Sequence, residues 1–241
     1  MSRRSTPRDL GHASGVKRAR LLLAVGAVAA AAVIVVVVLV VTSGTSHPKS
    51  SSSTATRSVF AGVEQHGDTL GRPSAPVAIT VFEDPQCPFC RQWSLDTLPT
   101  VIKRYVRTGR VKLVYRGIQI IGPNSVQGLV AIYAAGAQNK LWNMADALYR
   151  LQGGENSGWI TDAIVGEAAA AGGADPAALD TASSAGAVAI AITEARRESV
   201  ADAVAGTPTF LIERPPGLPK HLAVPALDPA SFTAALDAAL R

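Results

Sequence analysis

The stretch FEDPQCPFCRQW, Phe82 to Trp93, holds both cysteines of a 241-residue chain, Cys87 and Cys90. Immediately before it, PVAITVFE (Pro76 to Glu83) is short, apolar and β-branched, the pattern of a buried strand. Behind it, Phe89, Trp93, Leu98, Val101, Ile102, Tyr105 and Val106 recur at helical spacing. Pro88 suits the first turn of that helix, and Pro99 is expected to kink it. VKLVYRGIQI (Val111 to Ile120) then reads as a second strand. Strand, turn, helix and strand predict a βαβ unit with parallel pairing, and the cysteine pair falls at its strand-to-helix corner.

Beyond this unit the chain turns Ala-rich and loses strand character. Four or five helices are predicted, at about 124–138, 140–151, 159–171, 176–183 and 186–204. Sheet resumes at PTFLIE (Pro208 to Glu213), followed by a Pro/Gly-rich turn and a short strand over His221 to Val224. Asp228-Pro229 supplies an N-cap and first-turn pair for a last helix. The fold class expected is therefore α/β, with a helical insertion over about 122–205 inside a domain spanning 58–241.

The first 57 residues have a different character. Six of the 23 basic and one of the 18 acidic residues lie in residues 1–20, so the rest of the chain is balanced at 17 of each. The overall +5 thus belongs to that tail, which argues against nucleic-acid binding as its purpose. Leu21 to Val41 is an uncharged apolar run of 21 residues. As a helix it would cover about 30 Å, the thickness of a bilayer core. It exceeds the apolar core of a cleavable signal peptide, and TSGTS makes a poor cleavage site after it. A single-pass anchor through the lipid bilayer at 21–41 is expected, with the basic tail cytoplasmic and everything after Val41 extracytoplasmic. The Ser/Thr-rich segment 42–57 reads as a flexible tether.

Three uses of two cysteines compete. A structural zinc needs four ligands, and the chain offers one Cys-x-x-Cys pair and four scattered histidines, His12, His47, His66 and His221. No metal site is expected. A structural disulfide suits an oxidising location, but a bridge across so short a loop constrains the unfolded chain little. The third use is dithiol–disulfide exchange. Cys87 at a helix N-terminus would be the exposed, attacking sulfur, its thiolate favoured by free N–H groups, and Cys90 one turn on would sit shielded as the resolving thiol. Arg91 adds a positive charge nearby.

With these residues in place the chain resembles the DsbA-like thiol–disulfide oxidoreductases, thioredoxin-fold proteins with a helical domain inserted in the sheet. The resemblance rests on DPQCPFC (Asp84 to Cys90) and on GTPTF (Gly206 to Phe210), with support from GRPSAPVAITVFED and LWNMADALYRLQ, and covers about residues 60–240. It implies a redox-active Cys87–Cys90 disulfide with Pro88 and Phe89 between, and no other cofactor. It also implies that Pro208 is a cis-proline facing the dithiol, with Thr207 beside it to pair with a client peptide. Exported proteins with free thiols would be the clients, and a membrane redox partner would reoxidise the dithiol. A reductase or isomerase on the same fold, and a non-redox peptide-binding or chaperone module, are the alternatives. One departure stands out. The position six residues before the first cysteine, where such proteins carry a buried acid, is Val81. Glu83 and Asp84 are the candidate proton relays in its place, with Asp84 expected to face solvent at the strand end.

Overall fold

The computed structural model describes residues 58–241. The tail, anchor and tether expected at 1–57 lie outside the described residues. Among the described residues no helix is long and apolar enough to cross a membrane.

Six strands form one sheet: β1 (Gln65–His66), β2 (Thr69–Leu70), β3 (Val77–Glu83), β4 (Val111–Gly117), β5 (Thr209–Glu213) and β6 (Lys220–His221), in the order β1-β2-β4-β3-β5-β6. The central strand β3 pairs in parallel with β4, from Val77 opposite Val111 to Glu83 opposite Gly117. It pairs antiparallel with β5, with Phe82 opposite Thr209. Val77, Ile79, Val81 and Phe82 are buried, as expected for a strand flanked on both sides by others. The edge hairpin β1–β2 has no counterpart in the sequence reading, since two-residue strands leave no alternation to detect. The expected strand over His221 to Val224 is confined to Lys220–His221, as an edge pairing with Leu211 and Ile212.

The crossover from β3 to β4 is helical throughout but not uniform. It runs through α1 (Pro88–Gln92), a wide π turn (Trp93–Thr97), α2 (Leu98–Val101) and a second π turn (Ile102–Val106). Pro99 has no N–H for an intrahelical bond. Just upstream the ladder widens instead, with Leu98 N–H reaching the Trp93 carbonyl.

The insertion comprises α3 (Ser125–Gly136), α4 (Leu141–Arg150), α5 (Asp162–Gly172), α6 (Pro176–Ser183) and α7 (Gly186–Ala201), five helices where the periodicity predicts four or five. Thr161 caps α5 through Ile164 N–H, and Asp175 caps α6 through Ala178 N–H. After β6, α8 (Pro229–Ala239) closes the domain, capped by Asp228 accepting from Ala230 and Ser231 N–H. Two aromatic clusters fill the core. Trp93 packs against Phe210 and Phe232 at centroid distances of 4.7 and 4.4 Å. Tyr115 packs edge-on against Tyr133 and Trp142 at 5.9 and 5.8 Å. Arg116 on β4 forms ion pairs with Asp68 from the edge hairpin and Glu198 from α7, joining insertion to sheet.

Candidate active site

Strand register decides which residues meet. Because Phe82 stands opposite Thr209, the chain entering β5 arrives beside the chain leaving β3. Cys87 and Thr207, 120 residues apart, are thereby brought together, with Cys87 Sγ 3.2 Å from the Thr207 carbonyl oxygen. The Thr207–Pro208 bond is cis, as the resemblance implies. Pro208 lines a cavity of about 220 Å³ together with Phe210, His221, Leu222, Val224 and Leu227.

Cys87 is the N-cap of α1, with extended backbone (φ −73°, ψ 120°) and Pro88 in the first turn. The structure holds both cysteines as free thiols. The two sulfurs are unequal. Cys87 is lowered from an ordinary thiol to a pKa of about 6. The Cys90 thiol contributes most by donating to its sulfur, against the cost of burial, with the Thr207 side-chain hydroxyl and the Cys90 and Phe89 backbone N–H groups assisting. Cys90 is sealed at 0% exposure, and burial above all pushes its thiol well above the ordinary value. The neighbouring Cys87 and the charge on Glu83 act in the same direction. At neutral pH the pair is therefore one thiolate and one thiol.

Cys87 corrects one expectation: it is only 3% exposed, not an open attacker. The loop carrying Thr207 closes over the sulfur, while Phe89 beside it stands 60% exposed.

Asp84 corrects a second expectation. It is fully buried, not solvent-facing. Its carboxylate accepts from Gln86 N–H (2.8 Å), Ser125 Oγ (2.7 Å), and the Ile120 and Ile121 N–H groups (2.7 and 2.9 Å). Four donors occupy its oxygens, so Asp84 organises the loop and has no free lone-pair direction for a proton in transit.

Glu83 answers the gap left at Val81, which is simply core. Its side chain is 1% exposed, accepts from Trp93 Nε1 at 3.1 Å, and is hydrogen-bonded to the Tyr149 hydroxyl. Burial raises it to a pKa of about 8, partly offset by those two hydrogen bonds, and the charge of Cys87 adds to the rise. An acid that holds its proton at neutral pH thus lies in electrostatic contact with both sulfurs.

The sequence reading missed the polar frame of the motif. Gln86 donates to Ser125 Oγ at 2.9 Å, and its Oε1 accepts from Asn156 N–H at 2.8 Å. Gln152 Nε2 donates to the carbonyls of Pro85 and Cys87. Arg91, read from the sequence as a charge near the thiolate, donates instead to the Tyr149 carbonyl at 3.1 Å. Helix α3 touches the motif directly, since a Cβ on Gly128 would lie 2.9 Å from the Pro85 ring. The LWNMADALYRLQ stretch was the available signal, but nothing local in it points back to residues 85–87. Among the described residues no group of three or more His, Cys, Asp or Glu side chains is placed to hold a metal.

A parallel β3–β4 pair, an antiparallel β5, a helix-capping Cys-x-x-Cys and a facing cis-proline together define a thioredoxin-fold dithiol protein. Residues 64–215, more than half of the chain, match the thioredoxin family, and the chain belongs to it. Among curated proteins it is similar to the probable disulfide bond formation protein D of Bacillus cereus, 33% identical over 99 residues, 40% of this chain and 46% of that one. It is also 32% identical over 100 residues to the thiol:disulfide interchange protein DsbG of Escherichia coli, 41% of this chain and 38% of that one. The chain thus spans less than half the length of these curated relatives. Two solved structures share the fold. BdbD from Bacillus subtilis has a TM-score of 0.61 at 19% identity, covering 74% of this chain and 97% of that one. A thioredoxin-like oxidoreductase from Silicibacter pomeroyi has a TM-score of 0.56 at 24% identity, covering 75% and 95%.

Proposed function

We propose that this protein is an extracytoplasmic thiol–disulfide oxidoreductase that forms disulfides in exported proteins. The observation that carries the reading is the inequality of the two sulfurs, a stabilised Cys87 thiolate beside a sealed Cys90 thiol. Thiolate stabilisation favours the reduced form and so makes the disulfide a stronger oxidant.

In the oxidising direction a client thiolate attacks Cys87 Sγ of the Cys87–Cys90 disulfide. A client–Cys87 bond forms, the bond to Cys90 breaks, and Cys90 leaves as a buried thiolate. Glu83 protonates it, since a carboxyl titrating at about 8 gives its proton readily to a thiol held well above its ordinary value. The client's second thiolate then attacks the client sulfur of the mixed disulfide. The client disulfide closes and Cys87 departs as the stabilised thiolate. Two electrons have passed from client to dithiol, and the sulfurs need no other cofactor. Thr207 and Pro208 hold the client backbone as an added strand end, with the cavity beside Pro208 taking an apolar side chain. Return to the disulfide requires an oxidant, and a membrane redox partner supplies it.

The apolar run Leu21 to Val41 and the basic residues before it support a single-pass anchor that keeps the domain outside the cytoplasm. The test is oxidative refolding of a reduced client of two cysteines, with the Cys87→Ala variant as control. Disulfide formation that depends on Cys87 is expected. Equal rates in the variant would overturn the reading, and trapping of Cys87 and Cys90 mostly reduced in cells would instead favour a reductase or isomerase.

A further inference from the structure

Two side chains at and just past the end of α4 tie down the backbone turn that carries Cys87. The hydroxyl of Tyr149, near the end of α4, lies 3.3 Å from the Asp84 carbonyl oxygen. Two residues past α4, the single amide nitrogen of Gln152 serves the Pro85 carbonyl at 2.9 Å and the Cys87 carbonyl at 3.1 Å. A carboxamide NH₂ has two hydrogens, so one side chain satisfies both acceptors. On the far side of Pro88, the N–H groups of Phe89 and Cys90 point at Cys87 Sγ.

Peptide dipoles near a sulfur act by orientation. Carbonyl oxygens turned toward a thiolate repel it, and N–H groups turned toward it stabilise it. We propose that Gln152 is a positioning residue for the exchange reaction, fixing the Pro85-to-Cys87 backbone so that Cys87 Sγ stays within reach of the first-turn N–H groups. Through Gln152 the helical insertion tunes the dithiol without touching client or sulfur. The inference rests on the exchange reading and deepens it, giving the insertion a part in the chemistry beyond framing the motif.

The test is the pH titration of Cys87 in the reduced full-length protein in detergent, followed by thiolate ultraviolet absorbance and by the rate of alkylation. Gln152→Leu keeps the bulk and removes both donors. Gln152→Glu keeps the length but sets acceptors and a negative charge against the two carbonyls. Gln152 is only partly buried, and the similar size of both variants preserves the fold. Thiolate formation near pH 6 is expected to fall roughly three- to tenfold in Gln152→Leu and further in Gln152→Glu. Arg150→Ala, which removes an exposed pair with Asp146 on the same helix, is expected to titrate as wild type. A low wild-type titration left unmoved by both Gln152 variants would overturn the assignment of Gln152 alone. An ordinary-thiol titration in the wild type would overturn the exchange reading, and this inference with it.

Discussion

Trp93 Nε1 donates to Glu83 Oε1 at 3.1 Å inside a core closed to solvent on both residues. The indole fixes the direction of the one buried acid that both cysteines sense, and it does so from the helix that carries them. Proton supply to Cys90 and the aromatic packing of Trp93 on Phe210 and Phe232 are therefore parts of one cluster.

Removing that acid slows the step in which Cys90 leaves. Reduction of the enzyme disulfide by a client thiol, followed through tryptophan fluorescence, is expected to slow roughly tenfold or more at neutral pH in Glu83→Gln. In wild type the rate per client thiolate should decline as pH rises through about 8, where Glu83 loses its proton. The variant should lack that limb.

The same carboxyl makes stability depend on pH in a direction opposite to a paired surface acid. Its pKa is raised from 4.5 to about 8, so between those values the unfolded chain has released a proton that the native state still holds. The unfolded state binds fewer protons, and stability falls as pH rises. Denaturant titrations of the oxidised protein, in which Cys87 does not ionise and burial alone raises Glu83, should lose stability as pH rises above about 5. Glu83→Gln should flatten that slope.

Cys90 acts on Cys87 even before any mixed disulfide forms. Its thiol is the largest contributor to the low titration of Cys87. Cys90→Ala is thus expected to shift the Cys87 alkylation profile from about pH 6 toward that of an ordinary thiol. An unshifted profile would mean that the backbone N–H groups alone suffice.

Asp84 should be costly to remove for structural reasons. Asp84→Ala strands the N–H groups of Gln86, Ile120 and Ile121 and the Ser125 hydroxyl in a buried loop. A loss of about 3 kcal/mol or more in guanidinium unfolding is expected. The reaction's pH profile should keep its Glu83 limb in whatever fraction remains folded.

Elements with strong local patterning were legible in the sequence. β3, β4 and β5 announce themselves through β-branched apolar runs, and α8 through its Asp-Pro cap. The Cys-x-x-Cys corner and the Thr207–Pro208 loop were legible because each carries its own motif. Side-chain burial at the end of β3 was not. Whether Glu83 or Asp84 faces solvent depends on what the insertion lays over them, and Ser125, Tyr149 and Gln152 arrive from 41 to 67 residues away. The covering of Cys87 likewise follows from the β3–β5 register, a long-range pairing that no window of sequence contains.

The central claim is that the Cys87–Cys90 pair is built to oxidise. It is tested most directly by the equilibrium reduction potential of the full-length protein in glutathione buffers. A thiolate stabilised to a pKa of about 6 predicts a potential above the −270 mV or so typical of thioredoxin, by roughly 30 mV. A value at or below that level would contradict the account.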